Sequence, residues 1–196
     1  MSSVLTAANQ LTLLRILLVP VFVLFMLYGQ AGWALVTFSV AGLTDALDGL
    51  IARRTGQVTT IGAWLDPMAD KLLVATMFVM LTVPGLGLPQ RLPLWLTVLV
   101  LSRDIVIVAT VTVVNLAVAR RTFRPSILGK AATLVYVVTG LAALYANYLG
   151  TTLAFVTWCV YVSLALTLAS SLHYVVLILR GFAQDVDDAT QESRTS

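Results

Sequence analysis

Apolar residues run along this chain in long blocks, separated by short segments rich in glycine, proline and charge. No Asp, Glu, Lys or Arg falls between Arg15 and Asp45, Lys71 and Arg91, Asp104 and Arg120, or Lys130 and Arg180. A helix of about 20 residues crosses a hydrocarbon core about 30 Å thick. The first two gaps each fit one such helix, the last can hold two, and the third is a little short. The pattern predicts six helices, over about Thr12–Tyr28, Trp33–Arg53, Ile61–Val83, Leu94–Ala119, Ser126–Tyr148 and Leu153–Leu179. Turn-forming residues lie between them: Gly29 to Gly32, Thr55-Gly56, Pro84 to Pro89, Arg124-Pro125 and Leu149-Gly150. The expected fold is all-α, a polytopic membrane bundle of six transmembrane helices forming one domain over residues 1–183. A polar, acidic tail from Gln184 to Ser196 reads as disordered.

Composition supports that reading. Of 196 residues, 59% are hydrophobic and 11% charged, against about 25% charged in soluble domains. The net charge of +3 comes from basic residues at helix ends and gives no sign of nucleic-acid binding. With the amino terminus cytoplasmic, Arg15, Arg53, Arg54, Arg120, Arg121, Arg124, Lys130 and Arg180 lie at the inner side, and Arg91 alone falls in an outer loop. This positive-inside asymmetry places both termini in the cytoplasm. The opening lacks a basic leader and a cleavage pattern, so no cleavable signal peptide is expected. Cys159 is the one cysteine, which rules out an internal disulfide and suits a packed or lipid-facing thiol. Trp33, Trp95 and Tyr148 fit an interfacial aromatic belt, and Trp64 is placed to line an acidic cavity. His173, the single histidine, reads as a hydrogen-bonded core group.

The chemistry concentrates in the second and third helices. Asp45, Asp48, Asp66 and Asp70 interrupt apolar segments at matched depth near the cytoplasmic side. A central Asp costs about 2.5–3.5 kcal/mol on an insertion scale, so four require compensation. At about 100° per residue, Asp48, Gly49, Ala52 and Arg53 fall within about 80° of Asp45. Gly62, Asp66 and Asp70 step by four along the next helix. Two antiparallel helices thereby direct two carboxylates each at one cavity. Hard divalent ions with oxygen ligands answer that charge, Mg²⁺ being usual beside phosphates. A two-metal site suits in-line attack at phosphorus, and Arg53 is placed to hold a diphosphate.

Written as a string, this stretch is D-x-x-D-G-x-x-A-R, eight residues, then G-x-x-x-D-x-x-x-D. It resembles the signature of the CDP-alcohol phosphotransferase family at every fixed position. Asn9-Gln10-Leu11-Thr12, followed by Arg15 and Pro20, resembles the family's entry segment. The resemblance implies a bacterial inner-membrane enzyme with a cytoplasm-facing site that holds two divalent ions, Mg²⁺ or Mn²⁺. Asp45 and Asp66 would bridge both ions, Asp48 and Asp70 would complete the set, and Asp70 would act as general base. Gly49, Ala52, Arg53 and Gly62, with Asp48, Asn9 and Thr12, would hold the CDP moiety. A hydroxyl would attack the β-phosphorus of CDP-diacylglycerol and release CMP. Homodimers are common in the family.

The acceptor is read from the remaining cations. An anionic alcohol needs positive charge beside the metals, and Arg103, Arg120, Arg124 and Lys130 are the candidates. Arg121 and Ser126 are the other polar groups there. Arg103 and Asp104 fall well inside the fourth span, about 100° apart, where they are not expected to neutralise one another simply. The pattern resembles phosphatidylglycerophosphate synthases, which take glycerol 3-phosphate. Those tend to carry Arg-Glu, however, and Ser102-Arg103-Asp104 with Pro125-Ser126 before Gly129-Lys130 looks closer to cardiolipin synthases, which take phosphatidylglycerol. Glycerol 3-phosphate stays first; inositol phosphate and serine rank lower. A cation or proton transporter is the rival class, but the chain shows no inverted repeat and its acids gather at one membrane face. An inactive family member is disfavoured by the intact motif.

Overall fold

A computed structural model of the chain describes residues 7–55, 60–117 and 127–172, with side chains over 12–44, 68–107, 109 and 128–172. It contains α1 (Ala7–Leu27), α2 (Ala31–Thr55), α3 (Thr60–Thr82), α4 (Leu94–Ala117) and α5 (Ile127–Tyr148). A sixth helix, α6, is described over Ala154–Leu172. No strand occurs among the described residues. The expected helices are therefore present, and α1 starts five residues before the expected Thr12, taking Asn9 and Gln10 into the helix. Pro20 sits inside α1 on its exposed side, and the helix continues through it.

Each helix buries one stripe. On α1 the buried positions are Thr12, Arg15, Val19, Phe22 and Met26, alternating steps of three and four as a packed seam requires. On α6 they are Val156, Cys159, Val160, Ser163, Thr167 and Ser170. α3 packs against α1, α4 and α5, and α2 packs against α1 and α5. Ring contacts mark two of these seams: Phe22 against Phe38 at 5.9 Å, and Phe78 edge-on to Tyr136 at 5.9 Å. Ala34 and Ala41 on α2, with Ala132, Ala143 and Ala146 on α5, are all fully buried. Such small residues let backbones approach where dispersion, rather than water expulsion, holds helices together.

Among the described residues, much of the surface is apolar. Leu17, Val98, Ile105, Leu134, Trp158 and Leu168 are exposed, an exterior that hydrocarbon solvates and water does not. Two helices, Leu128–Tyr148 and Ala154–Leu172, are long and apolar enough to cross a membrane, and Thr12–Leu27 and Ala31–Thr44 are shorter apolar stretches.

One end of the bundle is closed by hydrogen bonds. α1 stops in a Schellman turn: Gln30 N donates to Phe25 O at 2.8 Å, Gly29 N donates to Met26 O at 3.2 Å, and Gly29 takes φ +69°. α5 stops in the same way, with Gly150 at φ +68° and Thr151 N donating to Ala146 O at 3.1 Å. Gln90, in the α3–α4 connection, exchanges two bonds of 2.9 Å with the Asn147 side chain. Its own side-chain oxygen accepts from Leu153 N at 3.0 Å. The motif acids lie toward the opposite end.

Candidate active site

The backbone is helical through both halves of the motif. Asp45, Asp48, Gly49, Ala52 and Arg53 lie in the last three turns of α2, and Gly62, Asp66 and Asp70 in the first three of α3. The i, i+3 and i, i+4 spacings of the string are therefore helical spacings. Of these residues only Asp70 has a described side chain; those of the others, and of Asn9 and Trp64, lie outside the described set. Arg120, Arg121, Arg124, Ser126, His173 and the tail lie outside the described residues altogether.

Asp70 is partly open, its side chain 43% accessible, and its Oδ1 accepts from Nη1 of Arg15. Arg15 is the largest fully buried side chain described, 1% exposed. It occupies a position of the α1 stripe that is otherwise apolar further along, with buried Thr12 one turn before it. By its place in the charge pattern Arg15 is one of the cations that set orientation; the structure puts it against Asp70 instead. The signal was available: one cation inside the run Leu11–Leu27, in phase with Val19, Phe22 and Met26. Its partner, 55 residues away, was not.

A second polar group lies at similar depth. Thr97 Oγ1 donates to Phe78 O at 3.4 Å and shares a hydrogen bond of 2.6 Å with Thr82. From that level Asp70 is eight residues back along α3 and Arg103 six residues on along α4. At ~1.5 Å per residue these are ~12 and ~9 Å, so the two share a depth to within ~3 Å. Arg103 is 8% exposed. Its Nη2 donates to Ser170 Oγ at 2.9 Å, and its guanidinium carbon lies 5.9 Å from the Tyr136 ring centre. Tyr136 and Thr167 share a hydrogen bond of 2.5 Å, and Thr139 and Ser163 one of 3.0 Å. These bonds make a polar seam between α4, α5 and α6.

The expectation that Arg103 and Asp104 do not neutralise one another is corrected here: Arg103 Nη1 donates to Asp104 Oδ1 at 3.1 Å. Helical spacing fixes the directions of the Cβ atoms, but a long flexible stem lets the guanidinium fold back over its neighbour. Lys130, on α5, is exposed. Among the described residues no group of three metal-ligating side chains occurs, three of the four motif carboxylates being outside that set. The donor chemistry of the motif, four aspartates and no thiol or imidazole, fits hard divalent ions.

The family model for CDP-alcohol phosphatidyltransferase matches residues 5–178. This chain belongs to that family. Family membership, with the apolar helices, supports membrane association. A probable phosphatidylglycerophosphate synthase of Mycobacterium tuberculosis is 42% identical over 127 residues, covering 61% of this chain and 56% of that protein. A CMP-forming cardiolipin synthase of Streptomyces coelicolor is 36% identical over 139 residues, covering 66% and 60%. The human CMP-forming cardiolipin synthase is 34% identical over 173 residues, covering 79% and 56%. The chain thus spans little more than half the length of these relatives.

Proposed function

We propose that this member of the CDP-alcohol phosphatidyltransferase family transfers the phosphatidyl group of CDP-diacylglycerol to an alcohol, in phospholipid biosynthesis. The carrying observation is the complete acidic motif on two consecutive helices, α2 and α3, with the Asp70 carboxylate accessible. We assign Asp45, Asp48, Asp66 and Asp70 as ligands of two divalent ions, Mg²⁺ or Mn²⁺. Ions bound there would offset charge on the diphosphate. Arg53 binds that diphosphate, while Gly49, Ala52 and Gly62 leave room for the nucleotide beside Asn9 and Thr12. Asp70 accepts the proton of the acceptor hydroxyl as its oxygen attacks the β-phosphorus. The bond from the β-phosphorus to the bridging oxygen breaks, and CMP leaves with that oxygen. Six spans, with the motif end cytoplasmic in a bacterial cell membrane and two chains forming a dimer, complete the reading.

Glycerol 3-phosphate is the proposed acceptor, supported by the mycobacterial relative named for phosphatidylglycerophosphate, the product that acceptor would give. Phosphatidylglycerol is the second, supported by the cardiolipin synthases and by Ser102-Arg103-Asp104. Arg103, Arg120, Arg124 and Lys130 are the cations assigned to either anionic acceptor.

The test is CMP release by purified protein in lipid, with CDP-diacylglycerol, Mg²⁺ or Mn²⁺, and each alcohol offered separately. Release should depend on one alcohol, stop with a chelator, and be abolished in a folded Asp70→Asn variant. Silence with every alcohol would refute the transferase reading. Near-normal turnover by Asp70→Asn would refute the assignment of the base.

A further inference from the structure

We propose that Arg15 is a positioning residue for Asp70: from α1 it holds one oxygen of the carboxylate that, on the transferase reading above, accepts the proton. The inference rests on that reading and on an asymmetry in burial. An ion pair with one end open to solvent contributes little to stability, because solvent screens the exposed partner. Here the guanidinium is 1% exposed while the carboxylate side chain remains 43% accessible. The arginine is enclosed and the acid is left open, as required of a fixed group that orients a reacting one. The position on α1 points the same way. Arg15 lies in phase with Val19, Phe22 and Met26, all buried, where leucine would pack without the penalty of a charge in hydrocarbon. A topology-setting cation would instead extend toward lipid headgroups. α1 packs on both α2 and α3, and the pair ties α3 to an element that carries no motif aspartate.

Arg15→Met keeps an unbranched stem and apolar packing but removes the charge. In lipid, kcat should fall about a hundredfold, the loss typical of a misaligned catalytic group. The KM values for CDP-diacylglycerol and for the alcohol should stay within about threefold. Arg15→Lys keeps a charge with shorter reach and without the planar guanidinium fork, and should lose only about tenfold in kcat. A second readout needs no metal and no turnover. In chelator, Asp70→Asn removes the negative charge that Nη1 of the buried guanidinium faces, and should lower Tm more than the Arg15→Met/Asp70→Asn double substitution does. Wild-type kcat in folded Arg15→Met, a loss confined to KM, or additive Tm shifts would each overturn the proposal. If Arg15→Met does not fold, Arg15→Lys carries the same decision: undiminished kcat overturns it. If the unmodified protein releases no CMP with either alcohol while the Tm shifts are non-additive, the transferase reading has failed. Arg15 then holds Asp70 without a catalytic purpose, and the positioning role falls with that reading.

Discussion

At the scale of single residues, the tightest demand among the described glycines falls on Gly140. A Cβ there would lie 2.0 Å from Cε and 2.1 Å from Sδ of Met77, which is itself fully buried. Met77 is flexible, but on α3 it is hemmed by the same seam that seats Phe78 against Tyr136. Gly140→Leu should therefore destabilise by about 3 kcal/mol, at the upper end of overpacking penalties. Gly140→Ala should cost less, because better helix propensity returns about 1 kcal/mol. Thermal unfolding in detergent checks this: Met77→Ala should restore at least half of the Tm lost by Gly140→Leu, and an unshifted Tm in Gly140→Leu would show that the seam is loose. Legibility differed by residue for a physical reason. The motif aspartates stood out because charge in an apolar run is costly wherever it lies. The pairing of Arg15 with Asp70 depends on how α1 rotates against α3, which no local spacing encodes. Arg103 was flagged by its depth, yet its neighbours Ser170 and Tyr136 come from helices 67 and 33 residues away.

Among the elements, the end of the bundle opposite the acids is joined through Gln90. Its backbone N–H and C=O are both satisfied by the Asn147 amide, and its side chain accepts from Leu153 N, so the α3–α4 connection is fastened to the α5–α6 turn. Asn147 is 7% exposed. Replacing it with Leu keeps the volume but removes the partner of two part-buried backbone groups of Gln90, at about 1 kcal/mol, the low end for a polar group left unsatisfied. Tm should fall accordingly. CMP release at 25 °C should not change, because Asp70 lies twelve residues before Thr82, ~18 Å along α3 from that end. A matching loss of turnover would mean that the two ends of the bundle are coupled. Helix positions were legible to within a few residues because the charge gaps and turn glycines are local signals. The start of α1 was not, since Asn9 and Gln10 look like loop residues in isolation. Nor was the Gln90–Asn147 clasp, which joins residues 57 apart.

For the molecule as a whole, the proposed six-span arrangement leaves one coarse choice, which end meets the cytoplasm. The proposed reaction decides the direction physically, because CDP-diacylglycerol must reach the aspartates from the leaflet on which it is made. The distribution of basic residues makes the same choice independently through the positive-inside rule. Arg91 is exposed in the α3–α4 connection at the Gln90 end, whereas Lys130 is exposed in the first turn of α5. In a Cys159→Ser background, Arg91→Cys should react with a membrane-impermeant maleimide added to intact cells. Lys130→Cys should react only after permeabilisation. The reverse pattern would place the aspartates outside, away from nucleotide-activated lipid and cytoplasmic alcohols, and would defeat the proposed reaction more decisively than the loss of any single contact. Labelling of both from outside would instead defeat the up-and-down arrangement of α4 and α5, since α4 could then not cross between them. The sequence-level charge rule and the chemistry of the site are separate constraints, so agreement between them at these two positions would test both at once.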